Sequence, residues 1–518
     1  MTGGNKIEKS LFELIQVAVG NQRALSSVPT QQEWQQLYGL LKKHALLGVG
    51  YVAIQKLPKE QWTPNAMIMQ WVGVAQKIRL LNLELNEECR KVVTRLEHDG
   101  IGAVVIKGQS NLENYPEELR EYRNPGDIDL WTKQTNDCGI PMAVKQGESV
   151  EYEYYKGVRG IIEYARLQRR TREDKSQFKP LYYHVGYHTD KGTEVEMHYR
   201  PSFLCSPIRN MRMQRWFKEQ FDVCFQNRCR LGFPVLTSSV NVVYQLVHLH
   251  RHVFEGGVGL RQLMDYYFAL RVWHNDVMEC KDLQTQGMWS EGLGTPVMSA
   301  QEVMAVIRSF GMGKFAGAVM FVINEVFGGA NENDNENEKG QRRTRRETDG
   351  GPQADYVGEC ESSEFKRNLN GGPQADGVGK RLSINDERLM INDVVHTENT
   401  EGNGGPQADD GGERKLPGII RELKENNFAP WMICEPNEKE GRKLLEEIMK
   451  GGNFGQYDTR DAALKKGGMM KHGIWKLKRM MRLVRSYPEE ALWEPVFRVW
   501  HLGWRKVNDF LIDNNSFS

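Results

Sequence analysis

The segment Gly126-Asp127-Ile128-Asp129-Leu130-Trp131 constrains this chain more tightly than any other. Alternate residues of a strand face opposite sides, so as a strand it sends Asp127 and Asp129 one way and Ile128 and Leu130 the other. The apolar side must then be covered by a core. The acidic side must lie in water or hold a cation, because neighbouring carboxylates repel and burial penalises both. A hard divalent ion with oxygen ligands, Mg2+ or Mn2+, suits the pair. Two solvated aspartates at a strand end is the plainer reading of the same residues.

The surroundings favour the ion. Upstream, the continuous apolar run over 101–106 reads as a buried strand and ends on Lys107-Gly108-Gln109-Ser110. A glycine turn there leaves backbone N–H groups free to approach a phosphate. Lys107 and Arg123 supply charge to neutralise it. Downstream, 193–200 alternates strictly and sets Glu194, Glu196 and His198 on one face. A carboxylate from that strand completes the three-acid arrangement of two-metal phosphoryl transfer. On spacing, Glu194 and Glu196 compete for the place.

The rest of the chain reads as helices around this small sheet. Leu80, Leu83, Leu85, Cys89, Val92, Val93 and Leu96 recur at threes and fours before Asp99-Gly100 stops the pattern. Helical periodicity returns after Pro234 and runs to Phe327, and resumes near Leu416. Between the second and third strands, 152–179 is rich in Tyr and Arg and reads as an excursion carrying a strand or two. The expected division is 1–99 helical, 100–235 sheet core, 236–328 helical, 329–415 a disordered low-complexity insertion, and 416–518 helical. The insertion holds GGPQAD at Gly350, Gly371 and Gly404, too irregularly spaced for a solenoid. Its polar content explains a mean hydropathy of −0.59. The fold class expected is therefore α+β.

Composition excludes several classes. Lys+Arg 69 against Asp+Glu 68 leaves no global field for nucleic acid or membrane. The cysteines form no CxxC pair, so neither a disulfide framework nor structural zinc is favoured. The most apolar stretch, 40–54, is broken by Lys42, Lys43 and His44 and is shorter than the ~20 residues of a spanning helix. With no secretory cleavage site evident, a cytoplasmic protein without a transmembrane segment is expected.

These motifs resemble the nucleotidyltransferase superfamily, which has a DNA polymerase beta-like fold. More narrowly, the chain is similar to an uncharacterised bacterial nucleotidyltransferase family. The resemblance rests on Lys107-Gly108, Arg123, Gly126-Asp127-Ile128-Asp129-Leu130 and Glu196-Met197-His198-Tyr199-Arg200. It extends to His248-Leu249-His250-Arg251-His252, Gly257-Val258-Gly259-Leu260-Arg261-Gln262 and Gly451-Gly452-Asn453-Phe454-Gly455. It implies metal-dependent transfer of a nucleoside monophosphate from an NTP to an acceptor hydroxyl, with pyrophosphate released. Asp127, Asp129 and Glu196 would bind the metal, and Glu196 would help deprotonate the acceptor. The resemblance also selects Glu196 over Glu194. The superfamily's Gly-Ser pair appears here as Gly108-Gln109 with Ser110 one place later, and the gap to Asp127 is longer than usual.

Other features admit two readings. Arg261 and Asp265 stand at i,i+4, either as a helix ion pair or facing the nucleotide. His248 and His252 share that spacing, which suits a metal but lacks an evident third ligand. The GGNFG segment is a helix stop or a loop against the acceptor pocket. From Lys465 to Arg485 there are eight Lys/Arg and no acid. That helix either turns its apolar side inward or offers a surface for RNA, membrane or an anionic acceptor. A small-molecule acceptor is favoured, with nucleotidyl modification of tRNA or protein, or a catalytically silent nucleotide-binding module, as alternatives.

Overall fold

The computed structural model describes residues 3–137, 139–146, 149–169, 178–285, 297–328, 429, 431–460 and 469–514. The tract expected over 329–415, with its GGPQAD copies, lies outside them, as does the resumption near Leu416.

Helices α1 (Gly3–Val19), α2 (Gln31–Lys43), α3 (Leu47–Lys56) and α4 (Asn65–His98) precede the first strand. Thr30 starts α2 with a capping box: its hydroxyl accepts from Glu33 N, and the Glu33 carboxylate accepts from Thr30 N. In α4 the expected apolar stripe holds from Leu85 to Leu96. Leu80 and Leu83, however, are 59% and 43% exposed. The buried place falls instead to Asn82, whose amide donates to the carbonyls of Glu121 and Arg123 at 2.8 and 2.7 Å. A polar residue displaces leucine there because it ties α4 to the loop entering the acidic strand, and a buried carbonyl needs a donor.

Next come β1 (Ile101–Val105), the short helices α5 (Gln109–Leu112) and α6 (Glu117–Arg120), and β2 (Ile128–Gln134). Strands β3 (Ile140–Gln146) and β4 (Ser149–Tyr155) form a separate antiparallel hairpin. The excursion then becomes helix α7 (Gly157–Gln168) rather than a further strand. Ile161, Ile162 and Ala165 lie on one of its faces and are buried. Strands β5 (His184–His188) and β6 (Glu194–His198) complete a four-stranded sheet in the order β1-β2-β6-β5. β1 and β2 run antiparallel, β2 and β6 parallel, β6 and β5 antiparallel. The chain is thus a mixed α+β fold around a small mixed sheet.

The two faces of the sheet bury different neighbours. Ile101, Ala103, Val105, Ile128, Leu130, Val195 and Met197 pack against α4 and α7. Val104, Ile106 and Trp131 look the other way, into the large helical core. Alternation therefore places Asp129 and Glu196 on the side facing the helices that follow.

Those helices are α8 (Pro207–Gln226), α9 (Ser238–Glu255), α10 (Leu260–Thr285), α11 (Ala300–Ser309) and α12 (Gly313–Phe327), then α13 (Glu438–Gly451), α14 (Met469–Leu483) and α15 (Pro488–Asn514). α9 is buried nearly all round, polar residues included. The basic helix α14 turns Trp475, Met480 and Leu483 inward but leaves Ile474, Leu477 and Met481 exposed. Arg479 goes inward with them because it donates to the Val253 carbonyl at the end of α9, at 3.1 and 2.6 Å. Among the described residues, no helix is long and apolar enough to cross a membrane.

Candidate active site

Parallel pairing sets the centre of the site. Asp129 on β2 stands opposite Glu196 on β6, and Asp127 lies just ahead of β2. Oxygens of Asp127, Asp129 and Glu196 lie within 4.8 Å of one another. Glu194, at the edge of β6, belongs to no such group among the described residues.

The positive charge nearest this cluster is Lys107, immediately after β1, with Nζ 2.5 Å from Asp129 Oδ1. Its position depends on Gly108, whose φ of +60° requires glycine and brings the turn against the backbone carbonyl of Asp127. Burial would favour the neutral amine of Lys107. The carboxylates of Asp129, Glu196 and Asp127 outweigh it and raise the pKa.

His198, fully buried, bridges two of the acids: Nε2 is 3.0 Å from Asp129 Oδ1 and 3.1 Å from Glu196 Oε2. Its Nδ1 has no partner among the described residues, so Nε2 is the nitrogen that carries the proton and donates. From β5, His184 Nδ1 lies 2.9 Å from the same Glu196 oxygen. Burial lowers the His184 pKa, against the pull of Glu196.

Titration separates the acids. Burial, and then the charge of Asp129, push the Asp127 carboxyl up to about 7. Burial works on Glu196 in the same direction, but His184, His198 and Lys107 overcome it and hold the group well below the usual range. Glu196 is thereby held toward its anionic form, which suits it to holding a cation. Three carboxylates against one lysine, with one aspartate driven toward neutrality by burial and then by Asp129, is a donor set that fits a hard divalent ion.

Arg123 and Asp265 form a second buried charge cluster. Arg123 donates from Nε and Nη2 to the two oxygens of Asp265, at 2.6 and 2.8 Å, and the Tyr115 hydroxyl donates to Asp265 Oδ1 at 2.7 Å. Asp265 thus pairs with Arg123 and not with Arg261 one turn earlier. Arg261 instead donates to the carbonyls of Asn124 and Pro125, at 3.2 and 3.3 Å. Burial and the neighbouring Arg123 lower its pKa to about 10. Both residues of α10 therefore grip the 123–125 loop, and Arg123 is committed to that clamp rather than free for a triphosphate.

Gln109 and Ser110 also turn away from the acids. Gln109 donates to Asn86 Oδ1 at 2.5 Å, and the Ser110 hydroxyl to the Lys107 carbonyl at 3.4 Å. Only the backbone of that turn borders Asp127. The rings of His248 and His252 lie edge to face at 4.3 Å, between Tyr244 and Phe454, and neither joins a group of three ligands among the described residues. The GGNFG loop packs on the turn after α9: Phe454 contacts the His252 ring and lies 5.7 Å from the Arg261 guanidinium. Gly455, at φ +65°, lies so close to Gly256 that an added Cβ would sit 2.0 Å from its carbonyl oxygen.

Sequence reasoning missed three contributors. His184 begins the alternating run His-Val-Gly-Tyr-His, a strand signal that was there to read. Arg251 stood in the HLHRH motif with no role assigned to it, and Tyr183 carried no signal. Tyr183 stacks beside both histidines, at 4.3 and 5.6 Å, and the Arg251 guanidinium lies 4.6 Å from its ring centre. Behind Tyr183 opens a cavity of about 200 Å³ lined by Tyr182, Phe203, Arg251, Lys476 and Phe497 among others.

No curated protein and no solved structure matches the chain. Residues 30–286, from α2 to the end of α10, match the model of a family described as uncharacterised nucleotidyltransferase. That span contains both charge clusters and every strand of the described residues, and through it the chain belongs to the uncharacterised nucleotidyltransferase family and is a transferase.

Proposed function

We propose that the protein moves a nucleoside monophosphate from an NTP to a hydroxyl of a small-molecule acceptor, releasing pyrophosphate, with Asp127, Asp129 and Glu196 holding Mg2+ or Mn2+. The observation that carries this reading is the gathering of three carboxylates within 4.8 Å around a single lysine. A divalent ion there neutralises triphosphate charge and makes the acceptor hydroxyl more acidic. The protein's own part is positioning and charge, since in-line phosphoryl chemistry needs no protein nucleophile.

Lys107 holds Asp129 at 2.5 Å and turns to the triphosphate once a cation takes its place. The Gly108 turn brings backbone close to Asp127, where the nucleotide's phosphates would lie. Arg123, Asp265 and Tyr115 fix the loop that carries Asp127. The cavity behind Tyr183 supports a small acceptor: its aromatic walls, with Arg251, Lys476 and Arg498 facing Glu255, Glu490 and Glu494, suit a compact polar molecule.

Incubation with NTPs labelled at the α-phosphate, and separately at the γ-phosphate, in the presence of a small-molecule extract tests the reading. Label from the α position alone is expected in a new low-mass product. Label from the γ position would sink nucleotidyl transfer, and α-label in tRNA or protein would replace the small acceptor.

A further inference from the structure

We propose that His184, His198 and Glu196 form a second metal position beside the three-carboxylate one, and that it takes a divalent first-row transition ion in preference to Mg2+. The proposal rests on the function just argued, because Glu196 serves both positions.

The geometry comes from β5 and β6. His184 stands opposite His198 in the antiparallel register, with Glu196 two residues before His198 on the same face. His184 Nδ1 and His198 Nε2 approach one oxygen of Glu196, at 2.9 and 3.1 Å, and His198 Nε2 is 3.0 Å from Asp129 Oδ1. One ligand atom from each of His184, Glu196 and His198 lies within 4.8 Å of the others. Ligands bound at roughly 2.0–2.1 Å in a tetrahedron stand about 3.3 Å apart, and both nitrogen–oxygen spacings lie within a few tenths of an ångström of that.

A strut between β2 and β6 would need only His198. Two imidazoles on one carboxylate oxygen, packed edge to face at 4.9 Å with Tyr183 against both, is more than a strut requires. Donor chemistry then decides the ion. Mg2+ keeps to oxygen, whereas Mn2+ accepts an imidazole nitrogen and Co2+ or Zn2+ favours it. Asp127 and Asp129 supply no nitrogen, so the two positions would differ in taste while sharing Glu196.

The test uses the full chain stripped of metal, with Mn2+ and Co2+ as probes. Pulsed EPR of the Mn2+-loaded wild type is expected to show coupling to ¹⁴N, and Co2+ to give absorption bands of mixed nitrogen and oxygen ligation. His184→Gln and His198→Gln are each expected to lower the preference for Mn2+ over Mg2+, measured as the ratio of dissociation constants, at least ten-fold. Wild-type protein whose bound Mn2+ shows no ¹⁴N coupling overturns the proposal without recourse to any variant. So does an equal loss of Mn2+ and Mg2+ affinity in both variants, which is the behaviour of a strut. Transfer of α-label is assayed separately: nitrogen ligation without transfer leaves this site standing and removes the function, and transfer without nitrogen ligation does the reverse.

Discussion

Two buried charge clusters, which draw on Arg123 and on Asp127 four residues apart, behave oppositely. Around Asp265, one carboxylate meets one guanidinium in a two-pronged pair, and a tyrosine hydroxyl completes it. Around Asp129, three carboxylates meet one lysine. The first cluster is balanced and closed, so it holds the fold. The second is short of positive charge, which is the imbalance the proposed cation would answer. In the interior, where unpaired charge is expensive, imbalance is a better sign of a ligand than charge itself.

The contrast is most sharply broken by Asp129→Asn. NTP turnover should fall about 100- to 1,000-fold or more, with circular dichroism unchanged because Asp127 and Glu196 still neutralise Lys107. Turnover within a few-fold of wild type would remove the acid cluster from the chemistry. Asp265→Asn should do the converse. Stripping Arg123 of its partner should cost about 3–5 kcal/mol in denaturant unfolding, while Mg2+ affinity of the protein that remains folded stays near wild type.

Acidity gives a third comparison. The folded state raises Asp127 from 3.8 to about 7, so it holds a proton that the unfolded chain has released. That contribution to stability is complete below about pH 4 and disappears as pH rises through 7 in metal-free protein. Mg2+ affinity should run the other way and weaken as pH drops below about 7, where the proton competes. Asp127→Asn should flatten both profiles between pH 4 and 8, read by thermal melting and by calorimetric titration with Mg2+. The smallest effect is expected at Gly455→Ala. Its positive φ and its closeness to Gly256 should cost about 1–3 kcal/mol, with Mg2+ affinity unaltered because the loop lies behind the clamp.

The acidic strand was legible because alternation is local: Asp127, Ile128, Asp129 and Leu130 declare their own faces. The second alternating run narrowed the third acid to Glu194 or Glu196, and only the family resemblance chose Glu196. What stayed hidden depends on partners distant in sequence. Nothing near Arg123 reveals that Asp265, 142 residues later, would claim it. Gln109 stood where a phosphate ligand was expected, but α4 offers it Asn86. On α4 itself, Leu80 and Leu83 looked like core, yet Asn82 took the inward place because two loop carbonyls needed a donor. Periodicity reports the average face of a helix, and a single buried hydrogen bond can rotate it.

Asp129 faces Glu196 only because Ile128 meets Val195 and Leu130 meets Met197 on adjacent rungs. Shift β6 by a single residue and Val195 or Met197 would arrive where the glutamate now stands, with the strand's own acids turned toward the oily side. Four side chains outside the acid cluster thus set the alignment on which the proposed reaction depends. A methyl group lost from one of them would be felt first as misalignment of chemistry, and only later as loss of structure.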